Sequence, residues 1–288
     1  PEGLLNSLKG FVSRQYIHKM ALAPTNLQIG AGQIVGLVGA NGAGKTTLLK
    51  LLSGLISPTS GHAKVLGFDP SKRQDPYLQK ISILLGQKNQ LWWDLPPADS
   101  FSLLTKIYSL DAKDVKARYL ELAALLNCQN LLHVQLRRLS LGERMKMEII
   151  GSLLHNPQVL FLDEPTIGLD IVAQEAIRKF LAEYVRHKKP TVILTSHYMD
   201  DISKLADRLL LISHGQIVYD GTVANFSTRS EQKQKLSLRI KEPPSVPLPL
   251  TAELTLPARA NFLIADLRES EVPEVLKKIL SISTIEDL

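Results

Sequence analysis

Eight residues carry the first chemistry in this sequence. Gly39-Ala40-Asn41-Gly42-Ala43-Gly44-Lys45-Thr46 has the spacing of a phosphate-binding loop. Glycines there let backbone N–H groups come close to phosphate oxygens, where a Cβ would interfere. Lys45 is placed to reach β- and γ-phosphates, and the Thr46 hydroxyl to bind Mg²⁺. Thr47 continues into the first turn of a helix whose N-terminal dipole favours the same anion. Asp163 closes the apolar run VLFLD, and Glu164 follows it. A carboxylate at such a strand end can hold Mg²⁺, and its neighbour can take a proton from an attacking water. Gln87 and His197 follow other apolar runs at equivalent strand ends, where open α/β sheets collect ligand-binding groups. Ser140 and Gly142 in LSLGE read equally as a helix cap and as an anion nest. Tyr16 is an adenine-stacking platform or an edge-strand tyrosine.

Buried strands must position these groups. Ile34–Val38, Ile81–Leu85, Val159–Leu162 and Thr191–Thr195 are short, branched, apolar runs. The first 33 residues are expected to form strands leading to the loop. His214-Gly215 reads as a hairpin turn between further strands. Between Pro96 and Arg138 the strand pattern gives way to helical spacing (Leu103, Leu104, Ile107 and Tyr108; Leu122, Leu125 and Leu126). Met145, Ile149 and Leu153 continue it on one helix face. Trp92 and Trp93 just before this region are expected to pack in the core; an exposed pair would mark a partner surface. His62, His133, His155, His187 and His214 read as structural or solvated.

Composition sets outer limits. The chain has 288 residues, 44% of them hydrophobic, and a formal net charge of +6. A real core is affordable, and no run of roughly 20 apolar residues suggests a bilayer span. No secretory signal opens the chain, and Cys128 is its single cysteine, so a reducing compartment is expected, with Cys128 as a packing residue. The basic excess is modest, and RHKK at 186–189 reads as a solvated helix end. Beyond Ser230 the composition turns proline-rich (EPPSVPLPL). Pro1 rather than Met opens the chain and IEDL ends it, so a longer parent chain is expected.

The phosphate loop, Gln87, LSLGE, FLDEP, IGLD and His197, in that order over about residues 10–225, resemble the nucleotide-binding subunit of an ATP-binding cassette (ABC) transporter. GQKNQLWWDLP, LSLGERMKMEI and DEPTIGLD are similar to exporters of the daunorubicin-resistance and viologen type. The resemblance implies an α/β fold: a P-loop NTPase core with an antiparallel β subdomain and a helical insert, plus a small α+β C-terminal domain. The expected bounds are 1–230 for the ATPase domain, with its insert at about 96–155, and 231–288 for the accessory domain. It further implies ATP and Mg²⁺ as cofactors and a head-to-tail homodimer or related pair. Ser140 and Gly142 would then contact ATP held by the other subunit, and Asp170 would cross between the sites. Gln87 would link the γ-phosphate and Mg²⁺ to separate membrane permease subunits. Tyr16 would stack on adenine, Glu164 would activate water, and His197 would bridge the γ-phosphate. The place implied is the cytoplasmic face of the membrane, with no nucleic acid bound. LSLGE departs from the commoner LSGGQ, so the Glu143 carboxylate is expected to point away from phosphate. The alternative is a non-transport ABC ATPase acting on nucleic acid or the ribosome. Against it stand a stretch without sustained heptads between the motifs and a single phosphate loop. A generic phosphate-loop kinase or GTPase lacks LSLGE and the DEP strand end.

Overall fold

The computed structural model describes residues 20–86, 89–196 and 198–230, and after those 234–240, 244, 247–250, 254–256, 262–267, 275, 277–279 and 285–287. The chain divides after Asp220 into two compact units. In the first, six strands form one sheet in the order β2-β3-β4-β1-β5-β6. These are β1 (Ile34–Val38), β2 (Ile81–Leu85), β3 (Val159–Asp163), β4 (Thr191–Thr195), β5 (Arg208–Ser213) and β6 (Gln216–Thr222). The first five run parallel. Both faces of a parallel sheet are covered, which is why β1, β3 and β4 read as unbroken apolar runs. His214 and Gly215, at φ +48° and +77°, make the two-residue turn between β5 and β6.

Helix α1 (Lys45–Leu52) packs Leu48 and Leu49 against Val35, Leu37, Phe161, Ile193 and Leu210, all buried. Each such side chain contributes about 1.5–3 kcal/mol on burial. A short α2 (Asp75–Leu78) adds Tyr77, whose hydroxyl donates to the Leu52 carbonyl. The helical region holds α3 (Pro97–Ile107), α4 (Ala112–Leu125) and α5 (Leu141–Leu153). Cys128 is fully buried there, and burial pushes its thiol up to about 11. The core continues in α6 (Ile171–Lys188) and α7 (Met199–Leu205). Among the described residues no helix is long and apolar enough to cross a membrane.

Two sequence expectations are corrected. Residues 20–33 form no strand. Pro24 lacks an N–H, a turn closes Gly30–Gln33, and the segment is tied by scattered bonds, Ala23 N–H to Gly215 O (2.7 Å) and Arg208 to Gln28 O (2.7 Å). Between α1 and β2 the described chain shows an isolated antiparallel bridge, Val65–Phe68. Second, Trp92 and Trp93 are 39% and 43% exposed, not core. Arg144 sits 4.5 Å over the Trp93 ring, a contact favourable at an open aromatic face. The helical spacing read after Pro96 is a helix, α3, which buries Ala98, Phe101 and Thr105 while Leu103 and Ile107 face out.

In the second unit, α8 (Val223–Ser230) precedes β7 (Gln234–Ile240). Strand β7 pairs antiparallel with β10 (Phe262–Leu267) and with β11 (Ile285–Asp287). A two-residue pair, β8 (Leu248–Pro249) and β9 (Thr255–Leu256), is also antiparallel. Leu250, Leu256, Val275 and Ile279 are fully buried.

Candidate nucleotide site

Sheet register builds the site. Leu85 lies opposite Asp163, Asp163 opposite Thr195, and Thr195 opposite Leu37, so the carboxyl ends of β2, β3, β4 and β1 form one edge. The glycine loop leaves that edge after Val38. Gly44 caps α1 at φ +114°, and no side chain caps the helix. A Cβ at Gly44 would stand 2.6 Å from the Ala21 carbonyl oxygen. Only glycine suits that backbone and that approach. The first N–H groups of α1 thus remain available to an anion.

Lys45 is 5% exposed, and its ammonium donates to Gly39 O (2.6 Å) and Ala40 O (3.1 Å). No described ion pair includes it. A buried ammonium held only by neutral carbonyls favours an incoming phosphate. The Thr46 hydroxyl donates to Asp163 Oδ2 (3.0 Å), and Thr195 Oγ1 donates to Asp163 Oδ1 (2.7 Å). This hydroxyl and carboxylate can share a divalent cation. Hard cations of the Mg²⁺ kind take few protein ligands when phosphate and water complete the shell.

Glu164 sits at φ +55°, uncommon for a residue with a Cβ. Its N–H donates to Thr195 O (3.1 Å) and Oγ1 (3.0 Å), and its carbonyl accepts from Ile167 N–H (3.2 Å). These bonds hold a conformation that costs about 1–3 kcal/mol. They fix where the chain turns off β3.

Ser140 caps α5. Its Oγ accepts from Glu143 N–H (3.3 Å), and the Glu143 carboxylate accepts from Ser140 N–H and hydroxyl, both at 2.9 Å. Glu143 is therefore occupied in a capping box. Gly142 lies against the start of α6, where an added Cβ would be 2.9 Å from the Ala173 Cβ. Asp170 caps α6 by accepting from Ala173 N–H (2.9 Å).

The structure thus gathers Gly39 to Thr46, Asp163 and Glu164 at one edge, and packs the turn of Ser140 and Gly142 against that of Asp170. Tyr16, Gln87 and His197 lie outside the described residues. Thr195 escaped sequence reasoning, although its strand-end position is the signal that picked out Asp163. Glu148 gave no such signal. It is 3% exposed on α5, accepts from Gln90 N–H (3.0 Å) and Leu91 N–H (3.3 Å), and burial raises its carboxyl above the ordinary value.

Residues 22–167 match a family model described as ABC transporter. The ABC transporter ATP-binding protein NatA of Bacillus subtilis (strain 168) is 32% identical, over 73% of this chain and 86% of its own length. The daunorubicin resistance ATP-binding protein DrrA3 of Streptomyces coeruleorubidus is 33% identical, over 73% of this chain and 66% of its own. The structure of cbiO1 from Clostridium perfringens, described as part of the ABC transporter complex cbiONQ, aligns with TM-score 0.66 and 26% identity, over 73% and 85% of the two chains. This chain belongs to the ABC transporter family, as an ATP-binding ATPase component.

Proposed function

We propose that this chain is the nucleotide-binding subunit of an exporter of the daunorubicin-resistance or viologen type. It would power a separate membrane permease from the cytoplasmic face. The observation that carries the reading is the edge where Lys45, Thr46, Asp163 and Thr195 converge beside an uncapped helix N-terminus. Thr46 and Asp163, with Gln87, would hold Mg²⁺, which supplies charge neutralisation on the phosphates. Lys45 and the loop N–H groups, Gly39 to Gly44 with Thr47, bind and orient the triphosphate. Glu164 takes a proton from water, His197 steadies the γ-phosphate, and Tyr16 stacks on adenine.

Two such subunits would close head to tail. The exposed Ile171 and Val172, each 79% exposed at the start of α6 beside Asp170, support an apolar contact there. Ser140 and Gly142 would then meet ATP on the partner subunit, with the Ser140 hydroxyl passing from Glu143 to phosphate. ATP that prefers the closed pair shifts its population, and hydrolysis reopens it. The exposed Trp92 and Trp93 suit the face that meets the permease. The second unit is read as an accessory domain.

The test is capture from gently solubilised membranes with tagged Glu164→Gln and Mg-ATP. A multi-helix membrane protein that is lost on Trp93→Ser is the expected partner. Recovery of ribosomes or nucleic acid alone would overturn the transport reading and favour a non-transport ABC ATPase.

A further inference from the structure

One buried acid lies apart from the phosphate loop and is used by none of the steps above. Asp201, on α7, is 0% exposed. Its Oδ2 accepts from the Thr166 hydroxyl (2.5 Å) and the Ser196 hydroxyl (2.6 Å). Its Oδ1 accepts from Arg178 Nη1 (2.8 Å). All three neighbours are donors, so the site suits an ionised carboxylate and leaves it well satisfied. Arg178, itself buried on α6, continues to Glu175 (2.9 Å), and Glu175 to Lys204 (3.1 Å).

The two hydroxyls belong to different limbs of the site. Thr166 is 1% exposed and stands two residues after Glu164, inside the turn that the Glu164 carbonyl closes onto Ile167 N–H. Ser196 directly precedes His197, and its Oγ also accepts from Tyr198 N–H (3.0 Å), so both chain neighbours of His197 are tied through it. One carboxylate therefore grips the segment after β3 and the segment after β4, with the start of α7 as the anchor. A misplacement of about 1 Å between a water-activating group and its phosphate costs on the order of a hundredfold in rate.

We propose that Asp201 is a positioning residue for ATP hydrolysis. It holds the limbs bearing Glu164 and His197 in register, and it acts through the Thr166 and Ser196 hydroxyls. This rests on the roles given above to Glu164 and His197. The phosphate loop lies on β1 and α1, outside this network, so nucleotide affinity should survive its loss.

The experiment is steady-state ATPase kinetics and nucleotide binding for Asp201→Asn. The expected kcat falls on the order of tenfold or more, with KM and nucleotide Kd within about twofold, a split that a merely structural role would not give. Thr166→Val and Ser196→Ala each remove one hydroxyl, should show the same split, and read the question even where Asp201→Asn does not fold. Thr166→Ser, which restores the hydroxyl, should recover turnover. In the double variant Asp201→Asn/Thr166→Val, the second change should add little, because the two act as one unit. Wild-type kcat per folded molecule in Asp201→Asn, or in both hydroxyl variants, overturns the proposal while leaving Glu164 its role. Glu164→Gln is measured beside them, and normal turnover there overturns the underlying reading and this proposal with it.

Discussion

Glu148 offers a prediction whose size follows from the structure. Its buried carboxylate accepts two backbone N–H groups, from Gln90 and Leu91, across 58 and 57 residues of chain. It thereby fastens the stretch at Gln90 and Leu91 to α5. Glu148→Ala leaves the buried Leu91 N–H and the part-buried Gln90 N–H without their acceptor. Each orphaned donor costs about 1–3 kcal/mol. The substitution also removes a carboxylate that burial disfavours, so the net loss falls near the lower end, about 2–3 kcal/mol for the pair. For a unit of this size, that corresponds to a fall of roughly 4–12 °C in Tm. The pH dependence supplies a second reading. Burial raises the Glu148 carboxyl above its ordinary value, with the Gln90 and Leu91 N–H groups and Arg144 acting against it. In the window between the ordinary and the raised value, the folded state binds more protons than the unfolded one, so this group's contribution to stability falls as pH rises through it. That slope should vanish in Glu148→Ala and in Glu148→Gln. Thermal unfolding from about pH 4 to 7 measures both effects. A Tm within about 1 °C of wild type, with the slope intact, would refute the reasoning.

Two other outcomes are expected. His155 stacks on Tyr108 at 4.1 Å, and its Nε2 donates to Ile81 O (2.8 Å); its Nδ1 has no partner among the described residues. Burial holds its pKa below the ordinary value, so the unfolded chain takes up a proton first; stability should drop as pH falls below about 6.5, and His155→Gln should remove that drop in a thermal scan. Gly44→Ala forces a Cβ toward the Ala21 carbonyl at φ +114° and should cost about 1–3 kcal/mol of stability, with nucleotide affinity down at least tenfold by fluorescence titration.

Local patterns revealed the centre of the fold. The phosphate loop was legible because glycine has a steric reason at each turn, and because an apolar run before it and a helical pattern after it agree. VLFLD and TVILT were legible because a parallel sheet buried on both faces leaves no polar alternation. Long-range contacts stayed hidden. On α5, Met145, Ile149 and Leu153 give the buried face by spacing, yet Glu148 beside them reads as a solvated acid until β2 and the Gln90 segment close over it. Asp201 in MDD looks like ordinary first-turn charge, and only the fold brings Thr166 and Arg178 to it. The tryptophans were misplaced because size and apolarity favour the core on average, whereas here both rings stay at the surface and Trp93 lies under Arg144. In the segment at 20–33, apolar residues suggested strands, but Pro24 lacks an N–H, and the Gly30 and Gly32 N–H groups go to the Gln33 and Thr191 side chains instead of to a neighbouring strand.

The most direct test of the central account is single-turnover and steady-state ATP hydrolysis by Glu164→Gln, with nucleotide binding and sedimentation measured on the same sample. The account predicts wild-type ATP affinity, turnover reduced by at least a hundredfold, as expected when a general base is lost, and an ATP-dependent dimer that persists because hydrolysis no longer reopens it. Normal turnover in that variant, or a monomer at saturating Mg-ATP, would contradict it.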